Sequence, residues 1–105
     1  MKRYLVSFRP AAERDLRELY NYIADEAGHT VAAGYIDRIE PLCLSLETLP
    51  LRGRPRDEIR PGIRTFAFER RATIVYRVSK SEVLIIRTFY GGRDFERLLG
   101  SEADE

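Results

Sequence analysis

The stretch from Ile63 to Tyr90, IRTFAFERRATIVYRVSKSEVLIIRTFY, constrains the fold of this chain more than any other part of it. Ala72, Ile74, Tyr76 and Val78 alternate with Thr73, Val75 and Arg77, the period-2 pattern of a strand with one better-buried face. Ser79-Lys80-Ser81 breaks that run, and Val83 to Phe89 is again rich in β-branched and aromatic residues. An earlier run, Ile63 to Glu69, ends at Arg70-Arg71, a connection short enough to demand an antiparallel return. These features predict a three-stranded antiparallel meander, one face of which has to be covered by the rest of the chain.

The first half of the chain supplies the cover. Tyr4 to Phe8 reads as a short strand stopped by Pro10. Ala12, Leu16, Leu19, Tyr20, Ile23 and Ala27 then trace one apolar stripe on a helix that Gly28 terminates. Thr30 is the expected N-cap of a second helix with the stripe Ala32, Tyr35, Ile36, Ile39, Leu42, Cys43, Leu46 and Leu49, kinked at Pro41 and ended by Pro50. Two helices joined this closely lie antiparallel. Residues 51 to 61, LRGRPRDEIRP, read as a surface connection, and Pro61-Gly62 as the turn into the meander. Phe95, Leu98 and Leu99 follow Gly91-Gly92 at helical spacing, and the acidic tail 100–105 has little to anchor it and is expected to fray. The expected architecture is α+β: an antiparallel β-sheet, made of the N-terminal strand plus the meander, packed against an α-helical hairpin. Residues 1–105 are expected to form one domain, since 105 residues suit a single core. No run approaches the ~18–20 apolar residues that span a bilayer, and no signal-peptide pattern precedes Pro10, so the expected location is cytoplasmic, with no membrane partner.

Function is narrowed first by what the sequence lacks. One cysteine, Cys43, falls on an apolar helical position, and the one histidine, His29, has no ligand cluster near it, so no metal site and no cofactor are expected. The nucleophile–base pairs and phosphate loops of common enzymes are missing, and no catalytic residue is assigned. Charge is more informative. Residues 1–51 sum to −2, residues 52–97 to +6 and the last eight to −3, and sixteen of the eighteen basic side chains are Arg. A positive second half suits an acidic partner, or else arginines that pair internally. Arg64, Arg77 and Arg87 lie among apolar strand residues, where an Arg either pairs with a carboxylate or aims its fork at a ligand.

The order of elements, with Ala12-x-x-Asp15-Leu16, Tyr22-Ile23-Ala24, Ala33-x-Tyr35-Ile36, Leu49-Pro50-x-x-Gly53-Arg54-Pro55, Ile59-Arg60-x-Gly62-Ile63-Arg64, Tyr76-Arg77-Val78 and Gly92-Arg93-Asp94, resembles the ParE branch of the ParE/RelE superfamily of toxins from type II toxin-antitoxin modules. The similarity covers residues 3 to 99. It implies a RelE/ParE-like fold, a cognate ParD-like antitoxin, and inhibition of DNA gyrase that traps cleaved DNA, without sequence-specific nucleic-acid binding by the toxin itself. The alternative it carries is the RelE activity, ribosome-dependent cleavage of mRNA; a further one is a weakly toxic antitoxin-binding module. Arg64 and Arg93 stand where RelE-type enzymes place basic groups, whereas Phe66, Thr73 and Leu99 replace the remaining basic groups and the Tyr. Tyr90 precedes the glycines where these toxins often have His. Arg60, Arg64, Arg87, Tyr90 and Arg93 are accordingly the candidate residues for target or antitoxin binding.

Overall fold

The computed structural model describes residues 2–69 and 71–90. Arg93, the helical spacing of Phe95 to Leu99 and the acidic tail 100–105 lie outside the described residues. A five-stranded sheet in the order β1-β5-β4-β3-β2 carries two helices on one face, from β1 (Leu5–Phe8), α1 (Pro10–Ala27), α2 (His29–Leu44), β2 (Arg54–Pro55), β3 (Ile63–Phe68), β4 (Ala72–Val78) and β5 (Glu82–Tyr90).

The meander forms as the alternation predicts, β3 against β4 and β4 against β5, both antiparallel. The N-terminal strand corrects the uniform antiparallel expectation, because β1 pairs with β5 in parallel and the sheet is mixed. The cause is the helical hairpin. It brings the chain back to the end at which β1 starts, where the Tyr4 N–H donates to the Glu47 carbonyl at 2.8 Å. The meander therefore sets out from that end, and its first and third strands share the direction of β1.

Both helices follow their stripes, with differences at the ends. Gly28, at φ +96°, ends α1 by donating to the Ala24 carbonyl and also stands as the N-cap of α2, which starts at His29. Thr30 is thus inside the helix and does not cap it; the positive φ that glycine tolerates turns the chain within one residue. At the far end the α-helix passes through Pro41 and stops at Leu44, giving way to a 3-10 turn over Ser45–Glu47. Leu46 on that turn is fully buried and continues the stripe of Ala32, Tyr35, Ile39 and Cys43, but Leu49 is exposed and does not belong to it.

The main core lies between helices and sheet, where Leu16, Leu19, Ile23, Tyr35, Ile39 and Leu46 meet Ile74, Tyr76, Val83 and Ile85. A smaller apolar cluster, Ile63, Val75, Ile86 and Phe89, occupies the other sheet face. Residue 86 makes that cluster possible. Val75 pairs with Arg87 while Tyr76 pairs with Ile85, so Ile86 is an extra residue in β5 and the later side chains of the strand change face.

Candidate functional site

The arginine-rich connection from Leu51 to Arg64 folds into a corner fastened to the sheet by polar contacts. Tyr76 sits mid-strand with its ring in the core, so its hydroxyl needs a partner. It finds two, donating to the Pro50 carbonyl at 2.8 Å and accepting from the Gly53 N–H at 2.8 Å. Burial raises the Tyr76 pKa above its ordinary value, against the opposing effect of the Gly53 N–H. Gly53 is required by proximity, since a Cβ there would stand 2.6 Å from the Tyr76 oxygen. Arg64 completes the fastening by donating from NH1 to the Gly53 carbonyl at 2.7 Å and to the Leu51 carbonyl at 3.3 Å.

The remainder of the corner is ordered locally. Arg54 and Pro55 form β2 opposite Thr65 and Arg64. The Arg52 guanidinium lies 5.2 Å over the Phe66 ring and donates to Ser45 Oγ at 3.1 Å. Asp57 accepts from the Gly62 N–H at 2.8 Å, closing the turn in which Gly62 takes φ +84°. Glu58 is held by Arg56 at 2.6 Å, a hydrogen bond that lowers its pKa.

A second polar constellation joins α1 to the far side of the sheet. β1 covers the edge of β5 only as far as Ile85, whose carbonyl accepts from Arg9 N–H. Beyond it the β5 edge is met by the buried carboxylate of Asp15, which accepts from Thr88 N–H at 2.9 Å and from Arg87 through Nε at 2.7 Å and NH2 at 2.9 Å. Thr88 Oγ1 also donates to the Ala12 carbonyl. Arg87 lies 4.5 Å over the Phe89 ring, so its planar group is both stacked and bidentate. Next to this lock Tyr90 packs on Tyr22 at 5.2 Å, beside a groove of about 360 Å³ lined by Leu19, Tyr22, Ile23, Arg71 and Tyr90. Another groove, about 330 Å³, opens at Phe8, Leu16, Tyr20 and Ile36 with Glu13 and Glu40 on its rim.

The candidate residues do not converge on one site. Arg60 and Arg64 lie at the β2–β3 end of the sheet, whereas Arg87 and Tyr90 lie on β5 beside α1, with β4 between. Arg93 is outside the described residues. Arg87 has its fork on Asp15, and Arg64 has NH1 on loop carbonyls. Phe66 packs edge-on against Tyr76 at 5.9 Å on the helix side of the sheet, while Thr73, one residue from Ile74, points to the other side. Cys43 is buried and its thiol is pushed up to about 12, which makes it inert. Among the described residues no group of His, Cys, Asp and Glu is gathered to hold a metal ion, and no helix is long and apolar enough to cross a membrane.

Two residues organise these constellations, Asp15 and Tyr76; the sequence placed Asp15 in a motif and Tyr76 in a motif and on the buried face of a strand, and gave neither its polar role. Asp15 carried a local signal. It lies three residues after Ala12 and four before Leu19, on the apolar face of its helix, where a carboxylate requires a buried partner.

Comparison with known proteins gives a consistent result. Residues 6–95 match the family model described as ParE toxin of type II toxin-antitoxin system, parDE. The chain is 31% identical to Toxin ParE3 of Caulobacter vibrioides over 88 residues, 84% of this chain and 87% of that protein. It is 32% identical to Toxin ParE1 of Mycobacterium tuberculosis over 98 residues, covering 92% and 97%. In fold it is similar to a chain of the chromosomal ParDE system from P. aeruginosa, with TM-score 0.74 at 24% identity, covering 83% of this chain and 95% of that one. A chain of the RelBE2 toxin-antitoxin complex from M. tuberculosis gives 0.62 at 23% identity, covering 85% and 99%.

Proposed function

The chain belongs to the ParE toxin family of type II toxin-antitoxin systems, and from that premise we propose that it arrests growth by inhibiting DNA gyrase and is neutralised by a cognate antitoxin. The observation that carries the choice of gyrase over mRNA cleavage is the use made of Arg64. Hydrolysis of RNA without a metal needs several groups to move protons and stabilise charge. Here the Arg64 guanidinium fastens the Leu51–Gly53 backbone, and two of the positions where RelE-type enzymes place further basic groups carry Phe66 and Thr73, on opposite faces of the sheet. This favours a toxin that works by binding.

The antitoxin engages an arginine-rich half of the molecule with acidic side chains, which accounts for the +6 charge of residues 52–97 in a chain whose net charge is +1. Association slows as salt rises, because the steering field is screened beyond roughly 8–10 Å at physiological ionic strength. Arg60, Tyr90 and Arg93 remain the residues proposed to face the target or the antitoxin. Expression of the toxin alone, with plasmid supercoiling and mRNA integrity followed together, tests the reading. Loss of negative supercoiling with intact mRNA is the expected result; cleaved mRNA with unaltered supercoiling overturns it.

A further inference from the structure

The outer face of α2 carries two features in line. One is the groove of about 330 Å³, floored by Phe8, Leu16, Tyr20 and Ile36. Its rim holds Glu13, Arg17 and Glu40, two acids against one arginine, so it is acidic on balance. Residues four apart stand one above the other on a helix, and Ile36, Glu40 and Leu44 therefore lead from the groove to the end of α2. The second feature lies there, where Leu44, Leu49 and Leu51 are each more than half exposed. The chain doubles back at this point. Leu49 N–H donates to the Ser45 carbonyl, Arg52 N–H donates to the Leu49 carbonyl, and Arg52 NH1 donates to Ser45 Oγ, which sets the exposed Arg52 beside the last turn of the helix. Glu47, the acid on that turn, is engaged by Arg3 at 3.0 Å. One face thus has an apolar hollow with an acidic rim at one end and exposed leucines with a basic neighbour at the other, and apolar side chains grouped in this way on a surface mark an interface.

We infer that the free toxin pairs with a second copy of itself through this face, about a two-fold axis that passes beside Leu44. Hollow and leucines, acid and arginine, are complementary to each other, and they occur on the same chain. A second copy turned end for end satisfies both ends at once, which is the condition for a closed, isologous dimer. In that arrangement Leu44 meets Leu44 of the second copy at the axis. Leu49 and Leu51 of each copy enter the groove of the other, and Arg52 of each lies against Glu40 of the other. Every contact away from the axis is made twice. Two copies laid in the same direction would set Arg52 against Arg52 and Glu40 against Glu40, and like charges so placed repel. The pairing is a property of the toxin alone and does not depend on what its target is.

Sedimentation of the purified full-length chain, from low to high micromolar concentration, tests the pairing. The expected result is a monomer that passes into a dimer with no larger species. Leu44→Asp sets two carboxylates together at the axis and should weaken pairing about tenfold or more at an unchanged unfolding temperature. Glu40→Arg and Arg52→Glu should each weaken it as much, because like charges then meet at both contacts. Mixed in equal amounts, these two variants should pair as tightly as the parent, since each contact again joins opposite charges. That recovery also shows that Arg52→Glu is folded, although it gives up its place over the Phe66 ring. A chain that keeps the monomer mass at every concentration overturns the inference. So does a mixture that pairs no better than either variant alone, or a Leu44→Asp variant that pairs within about twofold of the parent. Masses that climb past the dimer would show an open head-to-tail chain and overturn the two-fold closure. None of these outcomes touches supercoiling or mRNA, so the reading of the target stands or falls by its own experiment.

Discussion

The seat of α1 and the corner at Pro50–Arg64 are both attached to the same sheet, yet by different physics. α1 is seated by apolar burial along Ala12, Leu16, Leu19 and Ile23, reinforced by the ion pair of Asp15 with Arg87. The corner has little apolar burial of its own and is held by hydrogen bonds from two side chains to loop backbone, Tyr76 and Arg64. Non-directional burial tolerates exchange of one apolar side chain for another of similar volume. Directional bonds to backbone do not, because each lost partner leaves a polar group unsatisfied. The helix side is thus built to keep the fold, and the corner to keep one loop in one shape.

The largest effect should come from the ion pair, because both partners are mostly withdrawn from water, with side-chain exposures of 16% for Arg87 and 5% for Asp15. Asp15→Ala leaves the Arg87 charge and the Thr88 N–H without their acceptor and should cost about 3–5 kcal/mol. Calorimetry or urea unfolding checks this, and a loss under about 1 kcal/mol would show that the edge of β5 is satisfied without Asp15. Close behind comes Leu46→Ala, at a fully buried position, expected to cost about 2–5 kcal/mol. Leu16→Ala belongs at the lower end of that range because Leu16 keeps some exposure. Equal losses at both positions would mean that the 3-10 turn is packed no more tightly than α1.

The corner should lose less stability and more order. Tyr76→Phe removes a donor and an acceptor together, orphaning Gly53 N–H and the Pro50 carbonyl, for about 1–3 kcal/mol. Gly53→Ala forces a methyl to within 2.6 Å of the Tyr76 hydroxyl and should cost about 1–3 kcal/mol through displacement of the loop. Since both act on one contact, the double variant should cost less than the two losses added. Strict additivity by thermal unfolding would separate the two residues and dissolve the picture of a single fastening.

The same contrast explains what was legible in the sequence. Burial follows period, so the stripes of both helices and the alternation Ala72, Ile74, Tyr76 announced themselves, and with them the hairpin and the meander. Directional contacts depend on register. Nothing local to Tyr76 indicates that its hydroxyl meets Pro50 and Gly53, because that meeting requires β4 beside β3 and the connection folded across its end. Arg87 shows the same limit: an Arg among apolar strand residues signals a partner, but the partner lies 72 residues away on α1. The parallel placement of β1 and the stop of α2 at Leu44 escaped for a related reason, since both are set by where the hairpin returns the chain.

The smallest expected effect lies at the turn between β3 and β4, where α2 reaches the meander by a surface ion pair. Arg38 grips Glu69 through Nε at 2.8 Å and NH2 at 3.0 Å, and Glu69 adopts φ +49°, an uncommon conformation for a residue with a side chain. The hydrogen bond from Arg38, more than the charges around it, lowers the Glu69 pKa. A carboxyl whose pKa is lower folded than unfolded stabilises the fold fully above its unfolded value, and that contribution is lost as pH falls through the folded value. Exposure to solvent keeps the effect small and sensitive to salt. Urea midpoints measured at low salt from pH 7 downward should therefore fall less steeply on the acid side for Glu69→Gln than for the parent. The difference should shrink as salt is added. If the two proteins keep parallel acid limbs at low salt, Arg38 does not hold the turn, and the contact of α2 with this end of the meander rests on Tyr35, packed edge-on against Phe68 at 5.2 Å and donating to its carbonyl, with no help from charge.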